Sequence, residues 1–298
     1  MRTAKKLTKV FQNSSEISFD DKSKIVIMSD CHRGDGTWSD DFLRNKPIIF
    51  RALNYYFDNG YTYIEIGDGD ELWENKNIKD IIKEHRDIYT LIKKFNENNR
   101  LYMLYGNHDN IKKNYSFVKN KNESLYEFNK IKSGIYEGLI LKHQITNDKI
   151  FLVHGNQGDL INDGLAWLSK FLVRNFWRKL EIIGINNPTS SAKNYHKKKK
   201  HEEKMAKWAD KNGQMLIAGH THRPVFPKVG ESLYFNDGSC IHPYSITGIE
   251  IENGLITLVK WDMITKEDGC LFVHRDPIVK PGKLKDYFNS TNLIKIMK

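Results

Sequence analysis

QMLIAGHTHRP, residues 214–224, is an apolar run that ends in a glycine and two histidines one residue apart. Alone, His220 and His222 fit a surface turn or a metal site equally, since neutral imidazole is a common ligand for divalent transition metals. The run before them reads as a short buried strand, and it has counterparts. KIVIMSD (24–30), YTYIEIGD (61–68), RLYMLYGN (100–107) and KIFLVHG (149–155) also stop at polar or glycine-rich turns. Helical segments separate the first three of these four. PIIFRALNYYFDNG (47–60) has proline at its start and glycine past its end, the asymmetry helices prefer. NIKDIIKEHRDIYTLIKKFNEN (77–98) repeats Ile78, Ile81, Ile82, Ile88, Leu91, Ile92 and Phe95 at helical spacing. Such alternation predicts an α/β sheet with helices packed on it.

In the C-terminal third, SLYFNDGS, SITGIEIENG and LITLVKWDM read as antiparallel strands, the last two joined at a Glu-Asn-Gly turn. LILKHQITNDKIFLV (139–153) reads as another hairpin. Two mixed sheets packed face to face, with helices outside, are therefore expected in one domain spanning 1–298. Residues 159–213 interrupt this rhythm and read as a helical, basic, aromatic insert, and 277–298 as a C-terminal tail. Within the insert, Ile161, Leu165, Leu168, Leu172 and Phe176 form one stripe, widened by Trp167, Phe171, Trp177 and Leu180, with Arg174, Arg178 and Lys179 at one end. A stripe of this kind over 160–184 fits a lid on a lipid substrate, a peripheral membrane contact or a helix packed on its own domain.

The chain has 298 residues, 39% hydrophobic and 28% charged, which is ordinary globular composition. Its formal net charge of +10 favours anionic partners, but lysine is spread along the chain and names none. Nucleic acid is disfavoured, because no aromatic-basic alternation of the single-strand type appears outside the insert. KKKKHEEK (197–204) reads as a solvated helix with charge pairs. Cys31, Cys240 and Cys270 are odd in number and widely spaced, so a reducing cytoplasm is expected rather than a disulfide framework. The basic opening MRTAKKLTKVFQNSSEIS has no apolar run after it and is not expected to be a secretory signal. Nor does any stretch reach the roughly 18 apolar residues of a membrane span.

Ligands of α/β sheets collect outside the carboxyl ends of the strands. Those ends carry Asp30 and His32 in SDCHRGDG, Asp68 in IGDGDELW, Asn107, His108 and Asp109 in YGNHDN, His154 in VHGNQGD, and the pair His220 and His222. All are oxygen or imidazole donors, and five strands deliver them to one edge. Imidazole with carboxylate suits Mn, Fe, Co or Zn better than Mg or Ca.

The order D-x-H, G-D, G-N-H-D, H-G, G-H-x-H, over residues 24–262, resembles the calcineurin-like metallophosphoesterase superfamily. The resemblance implies a four-layer α-β-β-α sandwich and two divalent ions, with manganese first and Fe, Zn, Co or Ni as alternatives. By motif position Asp30, His32 and His222 would hold one ion, Asn107, His154 and His220 the other, and Asp68 would bridge them. It also implies that a bridging hydroxide attacks a phosphoric ester, that His108 assists the leaving oxygen, and that Asp109 orients His108. G-D-G-D-E-L-W (67–73) is similar to the G-D-x-x-[DE]-x-W pattern of UDP-2,3-diacylglucosamine hydrolases, which implies a nucleotide- or lipid-linked anionic small molecule as substrate. The chain departs from that pattern by keeping His108 where arginine is common. Arg33 and Arg223 are candidate grips for phosphate, the latter equally a rim salt bridge. The same centre would serve a nuclease, a cyclic-nucleotide phosphodiesterase or a protein serine/threonine phosphatase. A non-catalytic scaffold fits least, because all seven ligand positions are filled.

Overall fold

The computed structural model describes residues 2–113, 134–158 and 195–290. The strands are β1 (Ser15–Phe19), β2 (Ile25–Met28), β3 (Thr62–Ile66), β4 (Leu101–Leu104), β5 (Ile135–Tyr136), β6 (Gly138–His143), β7 (Lys149–Val153), β8 (Met215–Ala218), β9 (Tyr234–Asn236), β10 (Ser245–Glu252), β11 (Leu255–Thr265), β12 (Leu271–Pro277) and β13 (Gly282–Lys283). The helices are α1 (Arg2–Asn13), α2 (Lys46–Asp58), α3 (Ile78–Glu84), α4 (Arg86–Glu97), α5 (Tyr195–Asn212) and α6 (Leu284–Asn289). One sheet runs β1-β6-β7-β8-β9. The other runs β12-β11-β10-β2-β3-β4-β5, with β13 on β11. Both sheets mix parallel and antiparallel pairs.

Continuous apolar runs arise because these strands bury both faces, and successive side chains of a strand point opposite ways. On β2, Ile25 and Ile27 enter the core between the sheets, while Val26 and Met28 face α2 and α4. On β7 and β8, Ile150, Leu152, Met215 and Ile217 fill that same central core. Their neighbours Phe151, Val153, Leu216 and Ala218 face α1 and α5. Three cores thus separate four layers: helices, sheet, sheet, helices. The expected sandwich of two mixed sheets is present.

Four details differ from the sequence reading. The helix expected over 77–98 is two helices, α3 and α4, broken at His85, whose buried ring turns inward to meet Asp40 Oδ2 at 2.9 Å. β9 runs parallel to β8 rather than antiparallel to its neighbours. The stretch read as a tail from 277 is structured as far as Ser290, with Leu284 and Tyr287 on α6 in the central core. Finally, KKKKHEEK is not simply solvated: His201 and Glu202 are buried. The described end of the insert, α5, covers the five-stranded sheet beside α1. The stripe over 160–184 lies outside the described residues. Among them, no helix is long and apolar enough to cross a membrane.

Candidate metal centre

Each candidate ligand stands just past a strand, where the chain turns sharply. Asp30, His32, Asp68, His220 and His222 all have positive φ, between 48° and 68°. Left-handed backbone is uncommon for residues other than glycine, costs of order 1–3 kcal/mol each, and concentrates at functional sites. Among the described residues the other non-glycine cases are Asn99, Asn147, Tyr244 and Asn253. Close approach sets the glycines of the motifs. A Cβ on Gly106 would lie 2.2 Å from Asp68 Oδ1, and one on Gly67, at φ 98°, would lie 2.7 Å from the His154 ring.

These turns bring the donors together. Asp30, His32 and His222 form one group whose ligand atoms all lie within 4.8 Å, and Asp68, His154 and His220 form a second. Asp68 Oδ2 lies 3.0 Å from His154 Nε2 and 3.9 Å from His32 Nε2, between the groups. Asn107 is buried beside them. The histidines are anchored by one nitrogen and present the other. His32 Nδ1 meets Glu71 Oε2 at 2.9 Å, His154 Nδ1 meets the Ile66 carbonyl at 3.0 Å, and His222 Nδ1 faces Ser239 Oγ. That is how metal-ligating imidazoles are held. The buried atoms left without a hydrogen bond include Asp30 Oδ1, His32 Nε2, Asn107 Oδ1 and His154 Nε2. Leaving one such group unpaired costs about 1–3 kcal/mol, and Asp30, His32 and His154 belong to the groups that could hold a metal ion. The donor set is one that fits binding of a divalent metal ion.

The family model for calcineurin-like phosphoesterases matches residues 23–224. The chain belongs to that family. Two crystal structures of Chaetomium thermophilum Vps29 are similar to this calcineurin-like phosphoesterase. The first shares 10% identity over 87% of this chain and 97% of that one, with a TM-score of 0.40. The second, complexed with the RaPID-derived cyclic peptide RT-D3, shares 11% over 86% and 95%, with a TM-score of 0.37. Comparison with curated proteins finds no match.

Around the candidate ligands of this family member lies a dense polar frame. Asp109 accepts from the N–H groups of Gly106 (2.7 Å) and Gly69 (3.1 Å) and from Lys112 Nζ (2.7 Å). It therefore ties the G-N-H-D loop to the G-D-G-D loop rather than orienting His108, as the resemblance implied. Glu71 takes that place, with Oε2 2.6 Å from His108 Nδ1 in an ion-pair contact, while Trp73 stacks on the His108 ring at 4.2 Å. Neither was singled out from sequence, although both stand in the quoted G-D-G-D-E-L-W. Arg33 is no phosphate grip: it is buried, with a fork on Glu65 and its Nε on Asp70. Arg223 pairs with Glu202, the rim salt bridge weighed against a phosphate contact. Helix α5 braces the H-T-H turn, with Lys198 Nζ on the Thr221 carbonyl at 2.6 Å and Thr221 Oγ1 on Glu202 at 2.7 Å.

Electrostatics follow from burial and opposed charge. Burial pushes the Asp68 carboxyl up, but His154, His108 and His32 together pull it well below the usual carboxylate range. For Glu71, burial is likewise outweighed by His108 and His32, leaving it at about 2. His154 is pushed down by burial yet raised to about 9 by Asp68 and Asp30. Burial wins at His222, which falls to about 4. Without metal, then, the carboxylates hold protons on some imidazoles that an ion would have to displace.

Proposed function

We propose that the chain is a metal-dependent phosphoric ester hydrolase with a dinuclear centre, acting on a phosphodiester or pyrophosphate of a nucleotide- or lipid-linked small molecule. The observation that carries this reading is the gathering of Asp30, His32 and His222, and of Asp68, His154 and His220, into two groups whose ligand atoms lie within 4.8 Å of one another. In the proposal Asp30, His32 and His222 hold one ion and Asn107, His154 and His220 the second, with Asp68 shared. Divalent ions held there acidify water and neutralise phosphoryl oxygens, and Mn²⁺ is the first ion to test.

The protein's own part is orientation and proton transfer. The anchored Nδ1 atoms and the left-handed turns fix the donors before an ion arrives. His108 has Nδ1 against Glu71, so Nε2 is the atom left to give a proton to the departing oxygen. The Glu71 carboxylate against Nδ1 fixes the ring's orientation for that transfer. The finer substrate reading is supported by Glu71 and Trp73 of G-D-G-D-E-L-W, which meet at His108.

The test is a panel of phosphomonoesters, phosphodiesters and UDP-sugar pyrophosphates offered to metal-stripped protein, with and without Mn²⁺. Turnover that appears with metal and stops with chelator is expected. Failure on every phosphoric ester with each of Mn, Fe, Co, Zn and Ni would end the hydrolase reading.

A further inference from the structure

Most of the chain's surplus of ten positive charges gathers on one face. Helices α1 and α5 lie side by side on the five-stranded sheet, where Trp208 packs on Phe11 and its Nε1 donates to Thr8 Oγ1 at 2.9 Å. Their inner sides are apolar, with Leu7, Val10, Met205 and Ala209 buried. Their outer sides are cationic. On α1, Arg2, Lys5 and Lys9 recur at i, i+3 and i+7. On α5, Lys200, Lys204, Lys207 and Lys211 recur at i, i+4, i+7 and i+11. Each spacing marks a single stripe along a helix, and all seven side chains are exposed, as is Lys199.

The acids of these helices do not balance the stripes. Glu202 turns inward to Thr221 and Arg223, and Asp210 turns to Ser232 and the Leu233 N–H. Glu203 is left as the one exposed carboxylate of the two helices. Eight cations against one carboxylate supply seven of the net ten charges. None of the eight has an ion-pair partner among the described residues.

What such a face recognises follows from what it lacks. Among the described residues it carries none of the exposed large apolar side chains, so these offer bases no stacking platform and a membrane no wedge. Two helices side by side make a broad surface, not a single rod that enters a groove. Seven of the eight cations are lysines, which act as hydrated point charges rather than bidentate phosphate forks.

We propose that the α1–α5 face docks the protein on an anionic lipid bilayer by electrostatics alone, without insertion. This contact is separate from the 160–184 stripe and does not depend on the hydrolase reading. Because His201 on α5 bonds the Gly155 carbonyl at 2.6 Å, docking would hold the metal centre's rim close to the bilayer.

The experiment is co-sedimentation of the full chain with vesicles of phosphatidylcholine containing about 30% phosphatidylglycerol, against pure phosphatidylcholine. Binding to the anionic vesicles alone is expected, with loss at high salt as the charges are screened. Each lysine near such a surface is worth about fivefold in partition. The triple variant K200E/K204E/K207E should therefore bind at least about 100-fold more weakly. Its circular dichroism and metal content should be unchanged. K5E/K9E, on the other helix, should weaken binding independently, which keeps the test open should the first variant misfold. Equal binding to neutral vesicles, or anionic binding that survives both variants, would overturn the proposal. So would an absence of vesicle binding, including the case where a DNA duplex binds instead.

Discussion

His108 is clasped between the Trp73 indole face, the Glu71 carboxylate and the edge of His32, whose ring centroid lies 4.6 Å away. If its task is to protonate a poor leaving group, substitutions around it should discriminate by leaving group. Glu71→Gln keeps the shape but removes the carboxylate that lies against His108 Nδ1. Its kcat should fall on the order of 10²-fold on an alkyl phosphodiester and little on a nitrophenyl ester, which leaves without a proton. Trp73→Leu should show the same split and Trp73→Phe should restore most activity; equal loss on both substrates would take His108 off the leaving-group side. His154 yields a second expectation. Its pKa without metal is raised to about 9, so below that value a bound proton competes with the ion. Metal affinity should therefore climb as pH rises from about 6 to about 8, with protons released on binding. Isothermal titration in buffers of different ionisation enthalpy reads both effects, and a pH-independent affinity would contradict the assignment of His154.

At the scale of elements, the site is a set of turns locked to one another from beneath. Arg33, from the turn after β2, holds Glu65 on β3 and Asp70 just beyond it, and Lys112 joins Asp70 to Asp109. Breaking a buried pair strands a charge, at a cost of about 3–5 kcal/mol. Arg33→Met should therefore lower unfolding free energy by roughly that amount in denaturant titration and weaken metal binding, although Arg33 touches no candidate ligand in either metal group. A surface role would leave both unchanged. This frame also marks what the sequence could and could not disclose. Strands buried on both faces read as unbroken apolar runs, and their ends offered Asp30, His32, Asp68, Asn107, His108, Asp109, His154, His220 and His222, from which the family resemblance picked the seven candidate ligands. Contacts between distant segments were not legible. Nothing near His85 announces Asp40, forty-five positions away, so the helix break there was missed. Arg33, beside a ligand, looked like a phosphate grip because its carboxylates lie some thirty-five residues further on. The short β1 and β5 carry too little pattern to stand out, and β9 gives no local sign of its direction.

For the whole molecule, the strained turns and unpaired donors imply a folded state waiting for its ions. Five left-handed backbones stand at one edge of the two sheets, with Asp30 Oδ1, His32 Nε2 and His154 Nε2 buried there without a hydrogen bond. That edge also concentrates Asp30, Asp68 and Glu71 with five imidazoles. Removing metal should leave the sandwich intact, since its three cores are apolar and independent of the site. It should nevertheless cost stability by mass action: an ion present at a thousand times its dissociation constant contributes about 4 kcal/mol. With unfolding entropy growing with chain length, that corresponds to a fall in Tm on the order of 5–10 °C upon chelation. Scanning calorimetry of stripped and Mn²⁺-loaded protein measures it. Asp68→Ala should abolish the difference, because the carboxylate between the two groups is gone, and metal analysis of that variant should find the pair lost. A stripped protein that melts where the loaded one does, or an Asp68→Ala variant that retains two ions at full occupancy, would mean that the donors are a hydrogen-bonded core rather than a dinuclear centre.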